Sequence, residues 1–158
     1  MAGQKEEFYE LIPSMREWSN FEGFETPPHW IGATGSFEQA IAYSFIFWPD
    51  FIIVDDHVLR ADAYEPENFA TWRAGHDRAA VEGVLNHVHI LDVFPACADA
   101  SETQIRFLGR TLASMLEAKL ALDLPDRNFQ VAFNDETGED PIDYQVTFWQ
   151  ADGQSEND

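Results

Sequence analysis

A chain of 158 residues is long enough for one domain with a hydrophobic core and too short for two independent ones. Nine Lys and Arg against 29 Asp and Glu give a formal net charge of −20, which repels a phosphate backbone and an anionic membrane surface alike and excludes nucleic-acid binding. With 45% hydrophobic and 14% aromatic residues spread along its length, the chain is expected to fold as a single domain over 1–150, with an acidic tail at 151–158. Cys97 is the sole cysteine, so no internal disulfide forms, and no apolar signal segment follows the charged start Met1–Glu10. The greasiest stretch, Ala40–Trp48, is cut off by Pro49 and Asp50, far short of the roughly 20 residues that cross a bilayer. The expected setting is the cytoplasm, without membrane association or a cofactor.

Taken in chain order, Gln4–Asn20 carries Phe8, Leu11, Ile12, Met15 and Trp18 at helical spacing, interrupted by Pro13, and predicts two short helical pieces or one kinked helix. Phe21–Gly35 holds the breakers Thr26-Pro27-Pro28, Gly32 and Gly35 and reads as a loop that packs down through Phe21, Phe24, Trp30 and Ile31. Ser36 and Gln39 have capping-box spacing and open a helix that Pro49 closes; Phe37, Ile41, Ser44, Phe45 and Trp48 share one face that Ala40 and Phe47 widen, which predicts burial nearly all round. Two β-rich runs around Asp55-Asp56 predict a hairpin. Pro66 starts a helix with Phe69 and Trp72 on one face, and another begins near Asp77. The run His87–Phe94 is compatible with a last helical turn and a strand, or with an extended segment.

Ser101 and Gln104 open the strongest helix, with Ile105, Leu108, Leu112, Met115, Leu116 and Leu120 on one face for about four turns. Beyond it, Phe129, Val131 and Phe133 alternate with polar or small residues, as do Ile142, Tyr144, Val146 and Phe148. The period of two predicts a second hairpin with one greasy and one wet face. The sum is an α+β fold: four to five helices packed on one face of a small antiparallel sheet made of two hairpins.

Among residues able to carry chemistry, Asn86-His87-Val88-His89-Ile90-Leu91-Asp92 contains two imidazoles and a carboxylate, zinc or iron ligands by type. Spacing opposes the set. On a helix His87 and His89 are about 200° apart; on a strand they share a face while Asp92 points away, so only a break at residue 88 or 90 unites all three. The ordinary reading has one histidine capping the helix end through its carbonyls while the other packs. Asp55, Asp56 and His57 could hold a cation, but neighbouring hairpin residues diverge, and Asp is a turn residue for local reasons. A metal-dependent enzyme would therefore draw on His57, His87, His89, Asp55 and Asp92 if the fold gathered them. Nucleophilic and phosphate-loop motifs are lacking: no serine sits in a Gly-x-Ser-x-Gly elbow, and Gly32-Ala33-Thr34-Gly35-Ser36 has no following lysine. A further possibility is a small-ligand module with an aromatic pocket of Trp18, Trp30, Phe45 and Trp48.

From Asn128 to the end there is no basic residue, and Asp135, Glu136, Glu139, Asp140 and Asp143 gather at one end of the terminal hairpin. Such a potential steers a basic partner, and Trp149, on the same side of its strand as Thr147, is the candidate aromatic anchor. The leading expectation is a non-enzymatic acidic interaction protein, immunity- or inhibitor-like, that binds a basic protein partner and is itself monomer or homodimer.

Three clusters, Phe47-Trp48-Pro49-x-Phe51, Pro66-x-Asn68-Phe69-x-x-Trp72 and Asn86-His87-x-His89-x-x-Asp92-x-Phe94, together resemble a pattern in a family of small, acidic, uncharacterised bacterial cytoplasmic proteins. The resemblance spans about Ser36 to Pro95. It implies a bacterial source and carries no activity, cofactor or ligand residue.

Overall fold

Turn and cap chemistry sets the element boundaries in the computed structural model, which describes residues 2–18, 26–93, 99–135, 140 and 143–151. Phe21, Phe24, Cys97, Glu136, Glu139, Ile142 and the tail from 152 lie outside the described residues. The chain divides into two units, Met1–Ser44 and Phe45–Asp158.

In the first unit, α1 (Ala2–Leu11) and α2 (Met15–Trp18) are the two pieces expected around Pro13. The turn between them is closed by Ile12 N–H donating to the Phe8 carbonyl at 2.8 Å and Arg16 N–H to that of Pro13 at 3.0 Å. The expected loop is corrected over 27–34, which forms α3 (Pro27–Thr34). Thr26 is its extended N-cap, and prolines at the first helical positions give up only N–H groups that have no intrahelical partner there. Ser36 caps α4 (Phe37–Phe47), accepting from Gln39 N–H at 3.1 Å. The predicted burial of α4 is also corrected: the helix has no buried residue, and Phe37 is 90% exposed.

The second unit opens with β1 (Phe51–Val54) and β2 (His57–Arg60), antiparallel, with Phe51 opposite Arg60 and Val54 opposite His57. The two-residue turn places Asp55 at φ 48° and Asp56 at φ 68°, left-handed values that suit the strand twist and that Asp tolerates better than most residues. Next come α5 (Pro66–Arg73) and α6 (Arg78–Leu85), the latter capped by Asp77, whose carboxylate accepts from Ala80 N–H at 2.8 Å. The ambiguous run resolves into β3 (Val88–His89) followed at once by α7 (Ile90–Val93). Then α8 (Glu102–Asp123) opens on a complete Ser101–Gln104 capping box, and β4 (Phe129–Asn134) and β5 (Gln145–Gln150) pair with Val131 opposite Phe148.

The fold is α+β, with eight helices among the described residues. Its strands form two small antiparallel sheets, β1-β2 and β3-β5-β4, so the two predicted hairpins go to separate sheets and β3 joins the second. No helix among the described residues is long and apolar enough to cross a membrane.

The main core joins Ile105, Leu112, Leu116 and Leu120 of α8 to Tyr144, Val146 and Phe148, with Val58, Val88 and Ile90 beside them. Leu59, Phe69 and Val81 form a second cluster, so β2 is covered on both faces and all four of its residues are buried. Gly109 permits a close approach of α8 to β4: a Cβ there would stand 2.2 Å from the Phe133 ring. The expected wet face of β5 is covered as well. Gln145, Thr147 and Trp149 are half-buried, and Thr147 Oγ1 donates to the Gly83 carbonyl of α6 at 2.6 Å.

Glu82 of α6 and Asn86, the C-cap one turn further on, are fully buried and bridge the sheets. Glu82 Oε1 accepts from Val58 N–H at 2.7 Å and from Gln150 Nε2 at 2.5 Å, and Oε2 accepts from Gln150 N–H at 2.6 Å. Asn86 Oδ1 accepts from Arg60 N–H at 3.0 Å, while its Nδ2 donates to the carbonyls of Val58 at 2.9 Å and Phe148 at 3.3 Å. Apart from the Gln150 side-chain amide, these are backbone groups of β2 and β5 that no neighbouring strand satisfies, and leaving a buried donor unpaired costs about 1–3 kcal/mol.

Glu82→Ala strands three donors and is expected to lower stability by about 3 kcal/mol or more, read as a shifted midpoint in urea unfolding. Gly109→Ala, although alanine favours helices, is expected to destabilise by about 1–3 kcal/mol because the Phe133 ring must leave its seat; a neutral or raised midpoint would contradict that packing.

Candidate functional site

The acidic end of the terminal hairpin is tied to the fold at Asp135. Its carboxylate accepts from Arg110 Nη2 at 2.8 Å and lies 3.4 Å from Arg106 Nη1, and its carbonyl accepts from Arg106 as well. Arg106 also reaches back to Glu102, with Nε 2.9 Å from Oε1, and donates to the Tyr144 hydroxyl at 3.0 Å; that hydroxyl donates to Glu102 at 2.8 Å. The Arg110 hydrogen bond is the main cause holding the Asp135 carboxyl below its ordinary range, and the Tyr144 hydroxyl, then Arg106, does the same for Glu102. Asp140 and Asp143 are exposed. Trp149 is half-buried and meets the Gly83 position of α6, so its ring serves packing.

The histidines separate into two places. His57 is buried, stacked edge-on against Phe69 with ring centres 5.1 Å apart, and its Nδ1 lies 3.0 Å from the Asp55 carbonyl. Asp55 pairs with Arg73, while Asp56 pairs with Arg78 and Arg127, each at 2.8 Å. The Arg127 hydrogen bond is the leading cause that lowers the Asp56 pKa. His87, His89 and Asp92, by contrast, share one cleft of about 260 Å³ with Arg60. The chain changes from β3 to α7 at residue 90, which is the break required to bring them to one side. His87 Nδ1 bonds the Val84 carbonyl in the last turn of α6, the capping contact read from the sequence. Among the described residues no three His, Cys, Asp or Glu side chains are placed to hold a metal ion together.

The residues expected to line an aromatic pocket are divided between the two units, Trp18 and Trp30 in the first and Phe45 and Trp48 in the second. Phe45 and Trp48 are 61% and 41% exposed, Lys119 Nζ stands 5.6 Å from the Trp48 ring centre, Trp30 is half-buried, and the Trp18 side chain is outside the described set. In the first unit, a different cleft of about 300 Å³ runs between α3 and α4, lined by Ile31, Gly32, Gly35, Ser36, Phe37 and Ala40. Ile31 and Ile41 beside it are each 56% exposed. Sequence reasoning missed this apolar surface because hydrophobic periodicity reports that a face is greasy, not whether the chain itself covers it.

Charge along this stretch of the sequence is one-sided. The sequence has no Lys or Arg between Arg16 and Arg60, whereas Glu17, Glu22, Glu25, Glu38, Asp50, Asp55 and Asp56 all fall there. Elsewhere, Arg16, Arg60, Arg73, Arg78, Arg106, Arg110, Lys119 and Arg127 each lie within 4 Å of a carboxylate. Eight of the nine Lys and Arg residues thus have a carboxylate partner, and the remaining acidic residues leave the net charge negative. Comparison with known proteins gave no matching family, no similar curated protein and no similar solved structure. Geometry alone therefore supports the functional reading.

Asp56, Glu102 and Asp135 all have folded-state pKa values below their unfolded ones. The folded chain binds fewer protons there, so their contribution is complete above the ordinary carboxylate range and is lost as pH falls through the lowered values. The melting temperature is expected to drop below about pH 4. Asp135→Asn should melt lower at neutral pH and show a shallower acid slope; an unchanged slope would remove Asp135 from the account.

Proposed function

We propose that this chain is a non-enzymatic cytoplasmic interaction protein, immunity- or inhibitor-like, that binds a basic protein partner through the apolar surface of α3 and α4. The observation that carries the reading is the exposure of Phe37, Ile31 and Ile41 around the α3–α4 cleft. A contiguous exposed apolar patch on a folded domain marks a contact surface. The sequence around it suggests the partner's chemistry: no Lys or Arg lies between Arg16 and Arg60, whereas Glu17, Glu22, Glu25 and Glu38 do, and this local acidic excess favours an apolar patch bordered by Lys and Arg and speeds encounter at low salt. Asp135 and Trp149 of the C-terminal hairpin are engaged in the fold, so this reading takes the first unit as the docking face, with Asp140 and Asp143 of the hairpin still exposed.

The test uses a fluorescently labelled Lys/Leu peptide that forms a basic amphipathic helix, titrated with the protein and followed by anisotropy. Binding is expected to weaken at least tenfold between about 20 mM and about 300 mM salt. It should weaken by a similar factor in the double variant Phe37→Ser/Ile41→Ser, with the melting temperature unchanged because both side chains are exposed. Equal binding by the variant, or by a scrambled peptide of the same composition, would reduce the interaction to nonspecific charge and sink the proposed docking face.

A further inference from the structure

The His87–His89 cleft is a separate feature, in the second unit. We infer that its two imidazoles form a bidentate site for a borderline transition-metal ion of the Zn²⁺, Ni²⁺ or Cu²⁺ class, with Asp92 lining the same cleft. Three observations converge on it. Residues i and i+2 flanking an extended residue project to one face, and Val88, between the two histidines, is held extended in β3 by its pairing with Val146. The ring centres stand 5.0 Å apart. Two imidazoles that bind one ion through nitrogens at about 2.1 Å, at the roughly 109° of a tetrahedral site, hold their centres about 5 Å apart.

His87 is also oriented for the task. A carbonyl oxygen only accepts, so the Val84 contact calls for the proton on Nδ1 and leaves Nε2 as the nitrogen that can bind an ion, an outer hydrogen bond usual for metal-binding histidines. The lining favours a cation over an anion. Arg60 is committed to Asp62 through Nε at 3.0 Å and Nη2 at 2.5 Å, which neutralises the only guanidinium lining the cleft, and Asp92 adds a negative charge. Imidazole donors select this metal class over Mg²⁺ or Ca²⁺. With two protein nitrogens as the core, water completes the coordination sphere.

Calorimetric titration of tag-free protein with Zn²⁺ and Ni²⁺ is expected to show one site. His87→Gln and His89→Gln should each raise Kd at least tenfold, while His57→Gln, in a different place, should leave it unchanged. Electron paramagnetic resonance of the wild-type protein with one equivalent of Cu²⁺ supplies a readout independent of mutant folding: hyperfine coupling from two imidazole nitrogens is expected. No metal uptake, coupling from fewer than two nitrogens, or full affinity in both His87→Gln and His89→Gln would overturn the site.

Discussion

A buried carboxylate and a buried amide on one helix hold the second unit together. Strands β2 and β5 belong to different sheets and turn toward each other backbone groups that have no strand partner. Glu82 and Asn86, spaced i and i+4, meet those groups as a missing strand would. The arrangement carries more than the sheets. Gln150 extends it by donating to the Asp56 carbonyl at 2.8 Å, and Arg127 links Gln150 to the Asp56 carboxylate, so the seam reaches the β1–β2 turn. At the other end, Asn86 is the C-cap of α6 and stands directly before His87. The position of the histidine cleft is therefore set by the same side chain that joins the sheets.

Positive charge follows a similar economy. Arg73, Arg78 and Arg127 secure the Asp55-Asp56 turn, and Arg106 and Arg110 secure the start of the last connection through Asp135. Exposed ion pairs contribute little individually, yet several of these are shared, with Asp56 and Asp135 each meeting two guanidinium groups. Their collective effect is to place cations where the fold uses them. What remains outside is a negative field, which steers association without fixing its specificity; the apolar side chains at α3 and α4 would supply that.

Local signals were legible wherever one residue determines a backbone choice. Pro13, Ser36, Pro66, Asp77 and Ser101 marked helix boundaries, Asp55-Asp56 marked the tight turn, and the period of two marked β4 and β5. The α+β class followed from those elements. Thr26-Pro27-Pro28 misled because proline both breaks a helix interior and begins a helix well, and only the chain direction beyond it decides between them. Trp149 and Thr147 looked solvent-facing because alternation cannot foresee a helix laid over the second face. The Glu82–Asn86 seam was invisible for a related reason: its partners lie 24 to 68 residues away, and no pattern in sequence encodes which edge groups lack a strand. The meeting of His87, His89 and Asp92 depended on a strand-to-helix change at one residue, a possibility the sequence left open without choosing it.

The outer strand of the first hairpin also shapes how the chain behaves when crowded. β1 reads Phe-Ile-Ile-Val, uncharged and β-prone, with Ile53 half exposed and β2 its one strand neighbour among the described residues. Such an edge invites another copy to add a strand. Four residues is a short template, however, and Asp50 before it with Asp55 and Asp56 after it put carboxylates at both ends. Stacked copies would align those charges against one another, so the acids bracketing β1 act as gatekeepers against fibrillar self-addition.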